Sequence, residues 1–188
     1  MHSIEPHYNW RHLYIASEDE RSPFYGYLNS EVHYTDTIYN FVIHPQWDFI
    51  GCETLYLKLL FANYDQGYAI IEIIGEWNDV LHNDIMFLKR ELIEPLMAEG
   101  ISKFIFLGDN LLNFHAGEVD YYEEWFEELS DGWIVAINFR KHILSELSDY
   151  NIDQYIITGN ELDHLNWRNR TPQMLFRIVS EIVKHRLG

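Results

Sequence analysis

The sequence has a single cysteine, Cys52, among 188 residues, which excludes a disulfide within the chain and fits a reducing compartment. Basic side chains are also scarce: 13 Lys and Arg face 30 Asp and Glu, for a formal net charge of −17. Such a field repels nucleic-acid phosphates and anionic lipid surfaces unless a basic patch overrides it. The densest basic run, Arg177, Lys184, His185 and Arg186, falls in the last turns of a predicted helix, where cations complement the helix dipole. No apolar run nears the roughly 20 residues that a membrane-spanning helix needs. Met1 to Trp10, which carries His2, Glu5, His7 and Asn9, lacks the basic start and apolar stretch of a signal peptide. The expectation is a cytoplasmic protein that binds no nucleic acid and does not insert into a membrane.

Signatures of chemistry are missing too. Gly75 and Gly108 each stand alone after a predicted strand, so neither a dinucleotide fingerprint nor a P-loop gathers backbone amides for phosphates. The 10 histidines are not paired at helical spacing, apart from a loop-borne scatter of His2, His7 and His12, so no metal centre is expected. Cys52 reads as a small buried hydrophobe. No cofactor is expected.

Against these absences, 47% of the residues are apolar and 16% aromatic, enough for one large core. Residues 1–50 form a β-rich extension, with extended pieces expected at Leu13–Ala16, Phe24–Leu28 and Thr37–Ile43, and residues 51–188 form one compact α/β unit. Leu55 to Ala62 alternates as a strand does, although Leu-Tyr-Leu-Lys-Leu-Leu also suits a helix. A turn at Asn63 to Gly67 joins it to a second strand, Tyr68 to Ile74, giving a hairpin. Ile85, Leu88, Leu92 and Leu96 then mark a helix closed by Glu99-Gly100. Lys103–Leu107 reads as a short buried strand that enters a loop at Gly108-Asp109-Asn110. A helix over Val119, Tyr122, Phe126 and Leu129 follows. Next come a strand at Trp133–Phe139, a short helix at Ile143–Leu147 and a strand at Tyr155–Thr158. The last helix opens on Thr171-Pro172 with Leu175, Ile178, Val179, Ile182 and Val183 as its apolar face. The fold class is α/β, a mainly parallel sheet opened by a β-hairpin and covered by helices.

The order and punctuation of Leu55 to Gly188 resemble the STAS family, the sulphate-transporter and anti-sigma-factor-antagonist domains. Ala69-Ile70-Ile71-Glu72-Ile73-Ile74-Gly75-Glu76 is similar to that family's opening strand, and Gly100 to Leu107 to its next one. Asp109 to Gly117 looks like the loop where the family carries a regulatory serine, but no serine or threonine occurs between Lys103 and Leu129. The resemblance therefore implies a partner-binding surface without a phosphoserine switch.

Two sets of candidate residues follow. The first is a partner-binding surface of Asp109, Asn110, Asn113, His115, Gly117, Tyr121 and Trp125. It joins the STAS-like loop to an acidic helix (Glu118, Asp120, Glu123, Glu124, Glu127, Glu128, Asp131) in which an aromatic amid carboxylates suits a basic partner. The second is a ligand cleft of Glu76, Trp77, Asp79, Asn138 and Arg140 at the carboxyl ends of the strands, where open α/β sheets bind ligands. The functional expectation is a non-catalytic, regulatory protein-interaction module with a protein partner. The alternative is a small-molecule-binding or metal-dependent enzyme using Asp79, Asp109, His115 and Arg140. Homodimerisation through residues 1–50 is a further possibility.

Overall fold

The computed structural model describes residues 2–34 and 36–188, and of His2 only the backbone. Its strands are β1 (His2–Ile4), β2 (Thr37–Ile38), β3 (Phe41–Ile43), β4 (Leu55–Asn63), β5 (Tyr68–Asn78), β6 (Lys103–His115) and β7 (Trp133–Ile137). The last four form a sheet in the order β4-β5-β6-β7, in which β4 and β5 are antiparallel and β5, β6 and β7 parallel. This is the hairpin-opened, mainly parallel sheet expected from the sequence.

The strand reading of Leu55 to Ala62 holds, and the doublet that made it ambiguous has a structural cause. The β4–β5 register slips between Leu59 and Phe61. Leu55, Leu57 and Leu59 face one core, whereas Leu60 and Phe61 both face the other. A bulge that inserts one residue breaks the period of two at Leu60-Phe61, while the doublet Leu59-Leu60 reflects two opposite faces that are both covered.

Helices α1 (Asp84–Leu88) and α2 (Glu94–Ala98) are joined by a π-helical turn, Lys89–Ile93, into one run. With α3 (Asp120–Glu128) and α4 (Lys141–Asp149) they cover one face of the sheet, where Leu92, Leu96, Tyr122, Trp125 and Ile143 pack on Ile71, Phe104 and Ile134. The other face is covered by α5 (Pro172–Leu187) through Leu175, Val179 and Val183, together with Trp10 and Trp167. Helix α5 begins as its sequence predicts, with Thr171 Oγ1 accepting the Met174 amide and Pro172 in the first turn. Of its expected face, Ile178 and Ile182 are only half-buried.

Three expected features differ. Strand β6 does not stop at Leu107: it runs 13 residues to His115, and two register shifts against β5 absorb the extra residues. Gly108-Asp109-Asn110 is thus an irregularity within a strand. A side chain at Gly108 would collide with the Phe139 ring, its Cβ meeting ring carbon at 2.2 Å, so glycine is needed there for close packing. The expected strand at Tyr155–Thr158 reduces to one parallel bridge, Val135 to Ile157.

In residues 1–50, Leu13–Ala16 and Phe24–Leu28 are turns with a short 3-10 helix, Ala16–Glu18. Thr37–Ile43 splits into β2 and β3 around Tyr39, whose φ is 54°. With β1 these strands form a small sheet ordered β1-β3-β2, which packs Ile38, Ile43 and Trp47 on Tyr56 and Ile74. The remainder closes over the larger sheet: Trp10 donates through Nε1 to the Arg170 carbonyl at 2.9 Å, and Asp48 pairs with Leu57 on the edge strand β4. This bridge covers the edge of β4 at Leu57.

Candidate functional site

At their carboxyl ends β5 and β6 lie in parallel register, with Glu76 beside Asn113 and Asn78 beside His115. Alternation then sorts the side chains. Trp77 and Phe114 point into the helix-covered core, where their rings meet at 5.5 Å. Glu76, Asn78, Asn113 and His115 interact with one another on the opposite side. Asn78 Nδ2 donates to Glu76 Oε1 at 3.1 Å, and His115 Nε2 lies 3.6 Å from the same oxygen. The Tyr39 hydroxyl donates to Glu76 Oε2. Burial alone would raise the Glu76 carboxyl, but the Tyr39 and Asn78 donors and the nearby His115 outweigh it and hold the group below its ordinary value. Asn113 Nδ2 is 3.1 Å from His115 Nε2. The His115 side chain is 42% exposed.

The turn after β5 is held against this cluster by backbone bonds. The Asp79 amide donates to the His115 carbonyl at 2.9 Å, and Asn78 Oδ1 accepts the Leu81 amide at 2.9 Å. Gly117 packs on Asp79, where a Cβ would lie 3.1 Å from its backbone. These bonds leave Val80 and Leu81 projecting, 63% and 75% exposed, beside His115. They are two adjacent aliphatic side chains in a turn whose backbone is fixed, among several exposed apolar side chains of the chain such as Leu28 and Val32.

The acidic residues continue from this edge along α3. Glu118, Asp120, Glu123, Glu127 and Asp131 are exposed, while Glu124 and Glu128 reach the buried Lys89 Nζ at 2.6 and 3.5 Å. Trp125 does not serve as the expected anchor. It is fully buried and packs edge-on against Phe104 and Phe106, at 5.4 and 5.9 Å between centroids. The next residue, Phe126, assigned to the apolar stripe by its spacing, is instead 45% exposed. Tyr121 is half-buried against the core.

The other candidates lie elsewhere. Asp79 is buried and accepts from Trp77 Nε1, the Tyr122 hydroxyl and the Ile85 amide, which caps the first turn of α1 from outside. Asn83 makes no side-chain bond to the helix, and Asp84 accepts the Asn78 amide at 2.7 Å. Desolvation lifts Asp79 to about 6, partly countered by its donors. On the opposite face Asp109 accepts from Trp167 Nε1 at 2.8 Å and Asn138 Nδ2 at 3.2 Å. Asn138, with φ at 57°, also brackets the Leu165 backbone. Asn110 donates to Glu72. Arg140 is exposed at the start of α4.

The cleft expected from the sequence is not assembled: Trp77 and Asp79 are buried on the face covered by α1 and α3, whereas Asn138 is bonded to Asp109 and the Leu165 backbone on the other. Asp79, Asp109, His115 and Arg140 do not converge, which removes the geometric basis of the enzyme alternative. Among the described residues no three His, Cys, Asp or Glu side chains are grouped to hold a metal ion. Cys52 is fully buried, and burial pushes its thiol well up. Among the described residues no helix is long and apolar enough to cross a membrane.

Sequence reasoning missed Val80 and Leu81, whose only signal is an apolar pair between Asn78-Asp79 and His82-Asn83. It also missed Glu72, a lone carboxylate in Ile70-Ile71-Glu72-Ile73-Ile74. This group is fully buried and is held by the His7 amide at 2.7 Å, by Asn110 and by Arg168 Nη2 at 3.3 Å.

No family model matches the sequence, and no curated protein matches it. Among solved structures the chain is similar to the anti-sigma factor antagonist SpoIIAA in its unphosphorylated form, at 9% identity and a TM-score of 0.44, over 66% of this chain and 96% of that one. It is likewise similar to the Bacillus cell fate determinant SpoIIAA in the phosphorylated form, at 10% identity and a TM-score of 0.40, over 65% of this chain and 98% of that one.

Proposed function

We propose that this chain is a non-catalytic, regulatory protein-interaction module of the cytoplasm, and that its working surface is the edge where β5 and β6 end. The observation that carries this reading is the exposed pair Val80 and Leu81, fixed by backbone bonds beside half-exposed His115 and bordered by the acidic outer side of α3. A turn whose backbone is already fixed loses little backbone entropy when a partner covers it. Surrounding carboxylates select a partner that presents Lys or Arg around an apolar contact, and they speed its encounter at low salt. Phe126, in the last turn of α3 beside Tyr155, supplies a further exposed apolar side chain on the acidic helix. The segment Asp109 to Gly117, expected as a loop and found mostly within β6, ends at this edge, and in this reading Val80 and Leu81 replace the buried Trp125 as contact residues.

The test compares quantitative capture from a native lysate by the wild type, by Val80→Asp/Leu81→Asp and by Glu123→Lys/Glu127→Lys. The reading expects a partner that is retained by the wild type, lost with both variants and released by salt. An identical set of captured proteins for all three, with folding intact by circular dichroism, would sink it.

A further inference from the structure

Away from this edge, at the amino ends of β6 and β7, a groove of about 640 Å³ opens between the strands and α5. Its volume falls within the roughly 300–1,000 Å³ of small-molecule sites. Lys103, the first residue of β6, lines it from the sheet, and Arg177 and Lys184 line it from α5. Being about two helical turns apart, Arg177 and Lys184 lie on the same side of α5. The apolar lining comes from Met174, which is 41% exposed, and from Phe176, which is half-buried. Trp133, the first residue of β7, supports the Phe176 ring at 6.1 Å between centroids.

The three cations set this groove apart in a chain with a net charge of −17. Among the described residues none of them pairs with a carboxylate, whereas Arg21, Lys58, Lys89, Arg168 and Arg186 all do. Arg177 and Lys184 are exposed. Lys103 Nζ donates to the Gln66 carbonyl at 3.1 Å and lies 5.8 Å from the Phe176 ring centroid, which holds the ammonium beside the apolar lining. That bond uses one of its three hydrogens. The helix dipole accounts for Lys184 in the last turn of α5, but not for Arg177 in the second turn or for Lys103 on a strand. One carboxylate, Glu181, also lines the groove, so the lining keeps two positive charges in excess. A monoanion would balance only half of that excess, and a bare inorganic anion would leave the apolar lining in water.

We infer that this groove binds a small aromatic dianion, whose charge is carried by a phosphate monoester or by two neighbouring carboxylates on the ring. Arg177 takes an anionic oxygen pair through its planar fork, Lys103 and Lys184 neutralise the remaining charge, and the ring lies on Met174 and Phe176. The site is at the opposite end of the strands from the partner edge and does not depend on it.

Isothermal titration of the full chain with phenyl phosphate and with phthalate, at about pH 8 where a phosphate monoester is a dianion, tests the inference. Inorganic phosphate supplies the charge without the ring, and benzoate supplies the ring with a single charge. Saturable binding of a dianion is expected, at least about fivefold tighter than either comparator, and the tighter of the two dianions identifies the anionic group. Arg177→Gln and Lys103→Gln are each expected to weaken it about fivefold, the effect of one lost charged hydrogen bond. Lys141→Gln, which removes an exposed cation of α4 outside the groove, should leave it unchanged. Absence of saturable heat with both dianions at millimolar concentration overturns the inference. So does equal affinity for inorganic phosphate or benzoate, unchanged affinity in a folded Arg177→Gln chain, or an equal loss in Lys141→Gln.

Discussion

Replacing Glu72 with Gln should make the protein less sensitive to pH. Glu72 lies fully buried in the middle of β5. Desolvation lifts its carboxyl from 4.5 to about 7, against the pull of the His7 amide and Arg168. Because the folded value lies above the unfolded one, the folded chain binds this proton more tightly than the unfolded chain does. The contribution is fully present below the unfolded value and is lost as pH rises through the folded one. Using about 1.4 kcal/mol per unit, the loss between about pH 5 and pH 8.5 comes to about 2.5 kcal/mol. Gln keeps an acceptor for the His7 amide but turns its NH2 towards the Asn110 and Arg168 donors, a cost that does not vary with pH, so the readout is the change in the stability difference between about pH 5 and pH 8.5. Over that range the variant should gain about 2.5 kcal/mol relative to the wild type, or roughly 5–10 °C in midpoint for a chain of this length. Thermal and urea unfolding of both proteins at the two pH values measure this. Parallel pH dependences would refute the reasoning, since they would mean that Glu72 is ionised and adequately compensated in the folded state.

Trp125→Ala should destabilise the chain by about 3–5 kcal/mol in urea unfolding, as expected for a large core ring, whereas Phe126→Ala should cost under about 1 kcal/mol. Lys89→Met should be neutral or stabilising, because the partners Glu124 and Glu128 are exposed and return to water while the buried ammonium is replaced by an apolar chain; a loss above about 2 kcal/mol would contradict this. Gly75→Ala should cost more than about 2 kcal/mol, since φ is 107° and the new Cβ would sit 2.1 Å from the Thr54 carbonyl oxygen.

Local chemistry made part of the fold legible. Thr171-Pro172 marks the start of α5 and Glu99-Gly100 the end of α2, because capping and left-handed glycine are decided within a few residues. The hairpin could be read because its two strands are neighbours in sequence. The length of β6 could not. Gly108-Asp109-Asn110 has turn composition, and only the pairing of Ile74 with Asn110 and of Asn78 with His115 reveals that the strand continues. Residues 1–50 were the least legible, since their conformation depends on distant contacts such as Trp10 with Trp167 at 5.6 Å. In the site, the stripes 122–126–129 and 122–125–129 both obey helical spacing, so periodicity cannot choose whether Trp125 or Phe126 faces inward. Val80 and Leu81 carry no periodic signal. Their exposure follows from the bonds that fix the turn.

The most direct measurement is site-specific photo-crosslinking in a native lysate, with the reactive group placed in turn at Leu81, at Phe126 and at Gln173, which starts α5 at the other end of the strands. The same protein should be trapped from positions 81 and 126, at low salt and not at high salt, and not from 173. A protein trapped from 173 with none from 81 would contradict the assignment of the β5 and β6 edge as the working surface.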